Sequence, residues 1–244
     1  MKKERLDLLV VERGLAESRT RAQALILAGQ VVVDDQRVDK PGTRVSVEAE
    51  LRLKGEVLPF VSRGGLKLEA ALKQFSVDVT GAVCADIGAS TGGFTDCLLQ
   101  RGALRVHAID VGYGQLHEKL RKDPRVLSRE RVNARHLTDD DLPEPVSVMV
   151  IDVSFISLTL VLPGVLPKLA ERGVLVALVK PQFEVGPAQI EKGGVVRDAQ
   201  ARRESIERIA RFVQEQGLAV VGLMDCPVPG PAGNVEALLV ARRA

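Results

Sequence analysis

Four acids and two lysines in this chain fall where a ligand crevice would gather them. Asp86 sits just ahead of the glycines Gly88, Gly92 and Gly93. Asp110 ends the apolar stretch Arg105–Asp110, and Asp152 stands near the end of another, Val146–Val153. Lys180 follows a third, Gly173–Val179. Glu236 lies inside Gly-Asn-Val-Glu-Ala-Leu-Leu, where a carboxylate needs a partner. Lys67 lies upstream of the glycines, in the first turn of a short helical pattern. Lysines beside acids suit proton handling. An amine accepts a proton only when uncharged, a form favoured by desolvation or a neighbouring cation. No metal is needed for such chemistry, and none is expected.

The stretch Val83–Phe94 must position the first of these groups. It reads as a buried strand, a glycine turn and a helix N-terminus, with free N–H groups facing one spot. A dinucleotide fingerprint would carry a second glycine two residues after Gly88, and here that position is Ser90. Asp86 would also repel a pyrophosphate. It suits a ligand with a cation or an amine, and Asp110 could hold ribose hydroxyls. S-adenosylmethionine has all three features, although a nicotinamide cofactor and a turn without a ligand remain as alternatives. The expected lining is Asp86, Gly88, Ala89, Ser90, Thr91, Gly92, Gly93 and Phe94, then Asp110, Val111, Asn133, Ala134 and Asp152.

The remaining elements give the frame. Residues 4–13 form an amphipathic helix closed by Gly14, and Ser18 caps a second helix that runs to Ala28 and stops at Gly29. Arg19 and Arg21 sit in its first turn, where the helix dipole disfavours cations, so something else selects them. Val31–Val33, a turn at Asp34-Asp35, an extended piece near Arg37 and a strand over Val45–Leu53 follow. Residues 54–61 read as a linker. Ser62 is a candidate cap for a helix over 66–74. Strands at 83–87, 105–110, 126–127, 146–153, 173–179, 218–224 and 235–241 alternate with helices at 94–100, 115–122 and 199–217. A further helix, 157–169, is interrupted by Pro163 and Pro167. Residues 184–200 read as a long loop. The last two strands share only a Pro/Gly turn, Pro227–Gly233, and must be antiparallel. An α/β, Rossmann-like, seven-stranded and mostly parallel sheet with an antiparallel final hairpin is the class I methyltransferase fold. Because strand ends face the crevice, and Glu236 opens a reversed strand, Lys67, Asp152, Lys180 and Glu236 converge on one mouth.

Bulk properties exclude other classes. The 244 residues suit one large domain and one small one, with 45% hydrophobic content for a core. A net charge of +2 means that nucleic-acid binding must come from local clusters. Aromatic content of 3% argues against recognition by many exposed rings. Cys84, Cys97 and Cys226 have no C-x-x-C spacing and read as core residues. No apolar run follows the N-terminal Met-Lys-Lys-Glu-Arg, and none is long enough to span a membrane. A cytoplasmic protein without a signal peptide is expected.

Two resemblances sharpen this. Arg5-Leu6-Asp7, Ser18-Arg19-Thr20-Arg21-Ala22, Ile26 and Gly29-Gln30-Val31-Val32-Val33 resemble the αL RNA-binding domain, a small α+β fold. Lys67, Asp152, Lys180 and Glu236 resemble the Lys-Asp-Lys-Glu tetrad of FtsJ-type ribose 2′-O-methyltransferases. With Val61–Leu68, Asp86–Phe94, Asp110–Leu116, Asp152–Ser157, Lys180–Glu184 and Gly233–Glu236, the whole chain resembles the TlyA family. The resemblance implies 2′-O-methylation of cytidines in ribosomal RNA, with S-adenosylmethionine as donor and ribosomal RNA or a ribosomal subunit as partner. Domains at 1–53 and 62–244 with a linker at 54–61 are expected, and a monomer. Lys180 is then the base, Asp152 its positioning group, Glu236 a holder of Lys67 or the hydroxyl, and Lys67 an orienter of the 2′-oxygen or phosphate. Arg5, Arg19, Arg21 and Arg63 are the expected RNA contacts, with Lys40 and Lys54 as weaker candidates. The rivals are a ribosome-assembly factor that only binds RNA, a membrane-active haemolysin and a base or small-molecule methyltransferase. The last often carries Pro-Pro after the fourth strand, where this chain has Val153-Ser154.

Overall fold

The structure is a computed structural model that describes residues 3–34, 36–49, 51–54, 58–191, 193–230 and 233–243. Gly55, Glu56 and Val57 of the expected linker lie outside these residues. So do Asp35 of the expected 34–35 turn, and Pro231 and Ala232 of the 227–233 turn. The chain divides into two compact units, Met1–Leu58 and Pro59–Ala244. Among the described residues no helix is long and apolar enough to cross a membrane.

In the first unit, strand β1 (Lys3–Arg5) leads into helices α1 (Leu6–Glu12) and α2 (Arg19–Leu27). Strands β2 (Val31–Val33), β3 (Gln36–Arg37), β4 (Arg44–Ser46) and β5 (Leu51–Leu53) follow. The helix expected over 4–13 starts later, because residues 3–5 pair antiparallel with β4. The Leu6 and Asp7 N–H groups, orphans of the new helix, donate to the carbonyls of Thr43 and Pro41. Residues 45–53 are not one strand. The Ser46 hydroxyl and carbonyl close a turn by accepting from Glu48 and Ala49, so β4 serves β1 while β5 pairs with β2. Ser18 caps α2 by accepting the Arg21 N–H, and Gly29 takes φ +65° at its end. Leu6, Val10, Leu25, Ile26, Val31 and Val33 form the core of this unit.

The second unit holds helices α3 (Gly64–Gln74), α4 (Gly93–Gln100), α5 (Glu118–Arg121), α6 (Leu158–Val165), α7 (Pro181–Glu184) and α8 (Ala199–Glu215). Its strands are β6 (Val83–Ile87), β7 (Arg105–Ile109), β8 (Val126–Arg129), β9 (Val146–Ile151), β10 (Leu169–Val179), β11 (Leu218–Asp225) and β12 (Ala237–Arg243). They form one sheet in the order β11-β12-β10-β9-β6-β7-β8, in which β12 alone runs against its neighbours. Both faces are covered, so successive β9 residues serve different cores. Val148 and Val150 pack with Leu68, Leu72 and Leu98, while Met149 and Ile151 pack with Leu162, Ile206 and Ile209.

Several boundaries differ from the sequence reading. The helix expected over 115–122 is one turn, Glu118–Arg121, capped by the His117 ring. α3 starts at Gly64, and Ser62 meets it through its carbonyl, which accepts the Gly65 N–H, and not through a hydroxyl cap. α6 keeps Pro163 inside and passes into a 3₁₀ turn, Leu166–Lys168. β10 begins at Leu169, with a register shift against β9 before Val174. The expected loop 184–200 carries a 3₁₀ turn, Pro187–Gln189, and a bridge between Glu191 and Val195.

In the first unit, Asp7 is fully buried. Its carboxylate accepts from Arg5 Nε and Nη2 at 3.0 Å, and from Arg19 Nε and Gln23 Nε2 at 2.9 Å. These donors, Arg5 foremost, hold its pKa well below the usual carboxylate range. Replacing Asp7 by Ala leaves two facing guanidinium groups without their shared anion. In the full chain, Asp7→Ala is expected to speed hydrogen exchange of α1 and α2 amides while leaving those of β6 and β9 unchanged.

Candidate active site

The segments that follow β6, β7, β9 and β10 emerge at one edge of the sheet. There they line two adjoining clefts, of about 270 Å³ and about 530 Å³. Gly88, Ser90, Asp152 and Ser154 line both. The smaller also holds Arg63, Lys67, Asp86, Ala89, Thr91, Gly93, Phe94 and Lys180. The larger adds Asp110, Val111, Asn133 and Ala134, with Ile109, Ile156 and Val161 as apolar lining. Gly92 lines neither. It takes φ +93° as the N-cap of α4, and a Cβ there would meet Leu120 Cδ1 at 2.2 Å, so its role is packing.

Asp86 is fully buried. Its Oδ2 accepts the Thr95 hydroxyl at 2.6 Å, whereas Oδ1 has no hydrogen-bond partner among the described residues. Burial pushes the carboxyl up to about 7; the Thr95 hydrogen bond opposes the rise, and Asp152 and Asp110 add to it. Gly88, at φ +86°, passes so close to the next strand that a Cβ would stand 2.5 Å from the Asp152 carbonyl oxygen. Asp110 organises the turn from outside. Its Oδ2 accepts the N–H of Ser90, a residue at φ +49°, and its Oδ1 accepts that of Gly112, at 2.8 and 2.6 Å.

The two lysines each meet an acid. Lys67 Nζ lies 2.5 Å from Glu236 Oε2, a pair buried at both ends. Lys180 Nζ lies 2.5 Å from Asp152 Oδ1 and donates to Ser154 Oγ at 2.9 Å. The Asp152 contact is ionic: the pair is close, but Oδ1 falls outside hydrogen-bond geometry. Neither lysine is a surface cation, and Asp152 is not a helix cap. Ser157 caps α6, and Glu184 accepts the Ser157 hydroxyl and the Leu158 N–H. The sheet explains the meeting. Val179 pairs with Ala237, so the residue after β10 and the residue before β12 are neighbours across an antiparallel ladder.

Sequence profiles of known families match both units. The profile of FtsJ-like methyltransferases covers residues 60–243, and that of the S4 domain covers residues 4–51. The chain belongs to the FtsJ-like methyltransferase family. A 16S/23S rRNA (cytidine-2′-O)-methyltransferase, TlyA of Mycobacterium tuberculosis, is 48% identical over 242 residues, which are 99% of this chain and 90% of the relative. Hemolysin A of Brachyspira hyodysenteriae is 40% identical over 96% of this chain and 98% of its own. A solved structure from Streptococcus thermophilus, carried under a hemolysin name, has 46% identity and a TM-score of 0.77, covering 100% of this chain and 90% of that one.

Family membership gives the orphan atom a meaning. A buried, unpartnered carboxylate oxygen is costly unless a ligand supplies a donor. Asp86 lines the smaller cleft. Asp110 lines the larger and keeps lone pairs on both oxygens beyond the two backbone bonds it accepts. Carboxylates of this kind fit the amine and ribose hydroxyls of S-adenosylmethionine.

The expected RNA contacts divide. Arg5 and Arg19 are paired with Asp7, which answers why Arg19 stands at the start of α2. The guanidinium groups of Arg21 and Arg63 have no hydrogen-bond or ion-pair partner among the described residues. Sequence reasoning missed Thr95, Ser154 and Asn234 as site residues. A threonine one turn into the helix after the glycines was the available signal for Thr95. Asn234 is buried, accepts the Val196 N–H at 2.9 Å and donates to the Gly194 carbonyl at 2.8 Å. Phe155, 90% exposed at φ +64°, lines the larger cleft, and Tyr113, three residues after Asp110, is 70% exposed beneath the Arg131 guanidinium.

The raised pKa of Asp86 makes a stability prediction with a definite sign. Its contribution is fully present below the ordinary carboxylate pKa and is lost as pH rises through about 7. Without ligand, Asp86→Asn is expected to melt above the wild type at pH 8. The gap should shrink by pH 5, where the wild-type carboxyl is protonated. Scanning calorimetry at the two pH values measures this, and a variant less stable at pH 8 contradicts it.

Proposed function

We propose that this chain transfers a methyl group from S-adenosylmethionine to a ribose 2′-hydroxyl, that of a cytidine, in ribosomal RNA. The carrying observation is the pair of lysine–acid contacts, Lys67–Glu236 and Lys180–Asp152, gathered beside the buried carboxylate of Asp86. A factor that only binds RNA has no use for Asp86 and two sequestered lysines. The activity printed for the Mycobacterium tuberculosis relative supports the nucleotide and the RNA class. The S4 domain and the free Arg21 and Arg63 groups support an RNA partner.

Bound in the cleft, S-adenosylmethionine supplies a methyl group already activated on a sulfonium. The chain's own residues do the rest. Asp86 holds the amine, and Asp110 the ribose. A ribose hydroxyl is a poor nucleophile while protonated, so Lys180 takes its proton and the electron pair stays on oxygen. Asp152 keeps the Lys180 nitrogen at the mouth and compensates its charge once protonated. Glu236 fixes Lys67, whose ammonium orients the 2′-oxygen or the adjoining phosphate. Holding acceptor and donor in line supplies much of the rate. The exposed rings of Phe155 and Tyr113 offer faces on which a splayed base could stack. The enzyme acts as a monomer in the cytoplasm, where its ribosomal substrate is.

Substitution tests the assignment. Lys180→Ala is expected to lose methyl transfer by at least a hundredfold while its affinity for S-adenosylmethionine stays within about threefold. Full activity in that variant sinks the base assignment. Arg21→Ala and Arg63→Ala are expected to weaken RNA binding at all sequences and to flatten its salt dependence by roughly one phosphate contact each. Binding measured across a salt series checks this.

A further inference from the structure

We propose that Ser154 is a positioning residue for the proton transfer, acting through Lys180; the inference rests on the methyl-transfer reading above. Ser154 follows Asp152 on the segment leaving β9, and Lys180 leaves the adjacent strand β10. Among the described residues the Lys180 nitrogen has two polar partners, Asp152 Oδ1 at 2.5 Å and Ser154 Oγ at 2.9 Å. The Asp152 contact is ionic and outside hydrogen-bond geometry, so the Ser154 hydroxyl is the acceptor that holds an N–H of this nitrogen in a fixed direction. Lys180 is buried, whereas Ser154 is exposed and lines both clefts. The hydroxyl therefore marks the open side of the nitrogen, where an acceptor ribose must approach.

Asp152 alone cannot set this direction. An ionic contact keeps the nitrogen near the carboxylate but leaves rotation about Cε–Nζ free among its staggered positions. The hydrogen bond to the Ser154 oxygen selects among them. The backbone around it is held accordingly. Phe155, next in the chain, takes φ +64°, a strained conformation for a bulky residue. Its ring sits 5.1 Å from that of Phe183, on the turn whose N–H bonds back to the Lys180 carbonyl. Two contacts thus tie the segment after β9 to the segment after β10: ring on ring, and hydroxyl on amine.

The test uses full-length protein, ribosomal subunits and S-adenosylmethionine labelled in the methyl group. Ser154→Ala and Ser154→Cys, the second nearly isosteric but a weak acceptor, are expected to lower kcat by roughly fivefold to twentyfold, the size of one hydrogen bond to an ionisable partner. KM for the RNA and Kd for S-adenosylmethionine should stay within twofold, and Ser154→Thr, which keeps the hydroxyl, should retain most of the activity. Ser154→Ala with wild-type kcat overturns the proposal, while an inactive Lys180→Ala beside it leaves the methyl-transfer reading standing. Threonine as impaired as alanine, or a loss confined to KM or Kd, also overturns it. Wild-type protein that transfers no methyl group overturns the underlying reading instead.

Discussion

Strand β12 runs against its neighbours, and the charge arrangement at the mouth of the sheet depends on that reversal. In a parallel strand the residue before Ala237 would lie at the far edge. The antiparallel register with β10 brings Glu236 beside the end of Val179 instead. Buried charges must then find partners, because unpaired ones are expensive to remove from water. Lys67 provides one from α3, on the same side of the sheet. The connection into β12 is held firmly. The Asn234 side chain bonds to Gly194 and Val196, its carbonyl accepts the Gly230 N–H, and Arg202 donates to the Val235 carbonyl. Gly230 passes so near that a Cβ would stand 2.6 Å from Glu236 Oε1.

The ligand cleft is built at the expense of the empty protein. Asp86 keeps an oxygen without a donor, its charge is disfavoured by burial, and two more acids stand nearby. Ser90 and Phe155 hold left-handed conformations that side chains avoid. A fold selected for stability alone would have an apolar residue at position 86. Tension of this kind at a cleft accompanies function.

The parallel sheet was legible in the sequence for a physical reason. Both its faces are covered, so β6, β7, β9 and β10 appear as apolar runs that end in a polar residue at the crevice. Glu236 was legible because a lone carboxylate in an apolar run needs a partner, but which lysine it meets follows only from the register. Short elements were not legible. Lys3–Arg5 continues smoothly into the amphipathic pattern of α1, and only its pairing with Arg44–Ser46, distant in sequence, makes it a strand. The arginines of the first unit showed as cations at an unfavourable helix end. Their cause, Asp7, looked like any polar residue of that helix until its burial was visible. Ser154 stood inside the matched segment Asp152–Ser157 without a role of its own, since its meaning lies in a distance to Lys180 across two strands.

The central claim is that these groups deliver a methyl group to a ribose oxygen. The direct measurement digests ribosomal RNA to nucleosides after incubation with the protein and methyl-labelled S-adenosylmethionine, then locates the label by mass spectrometry. Label is expected on the ribose of cytidine, recovered as 2′-O-methylcytidine. Label on a base, or no incorporation into RNA from ribosomes or either subunit, would contradict it.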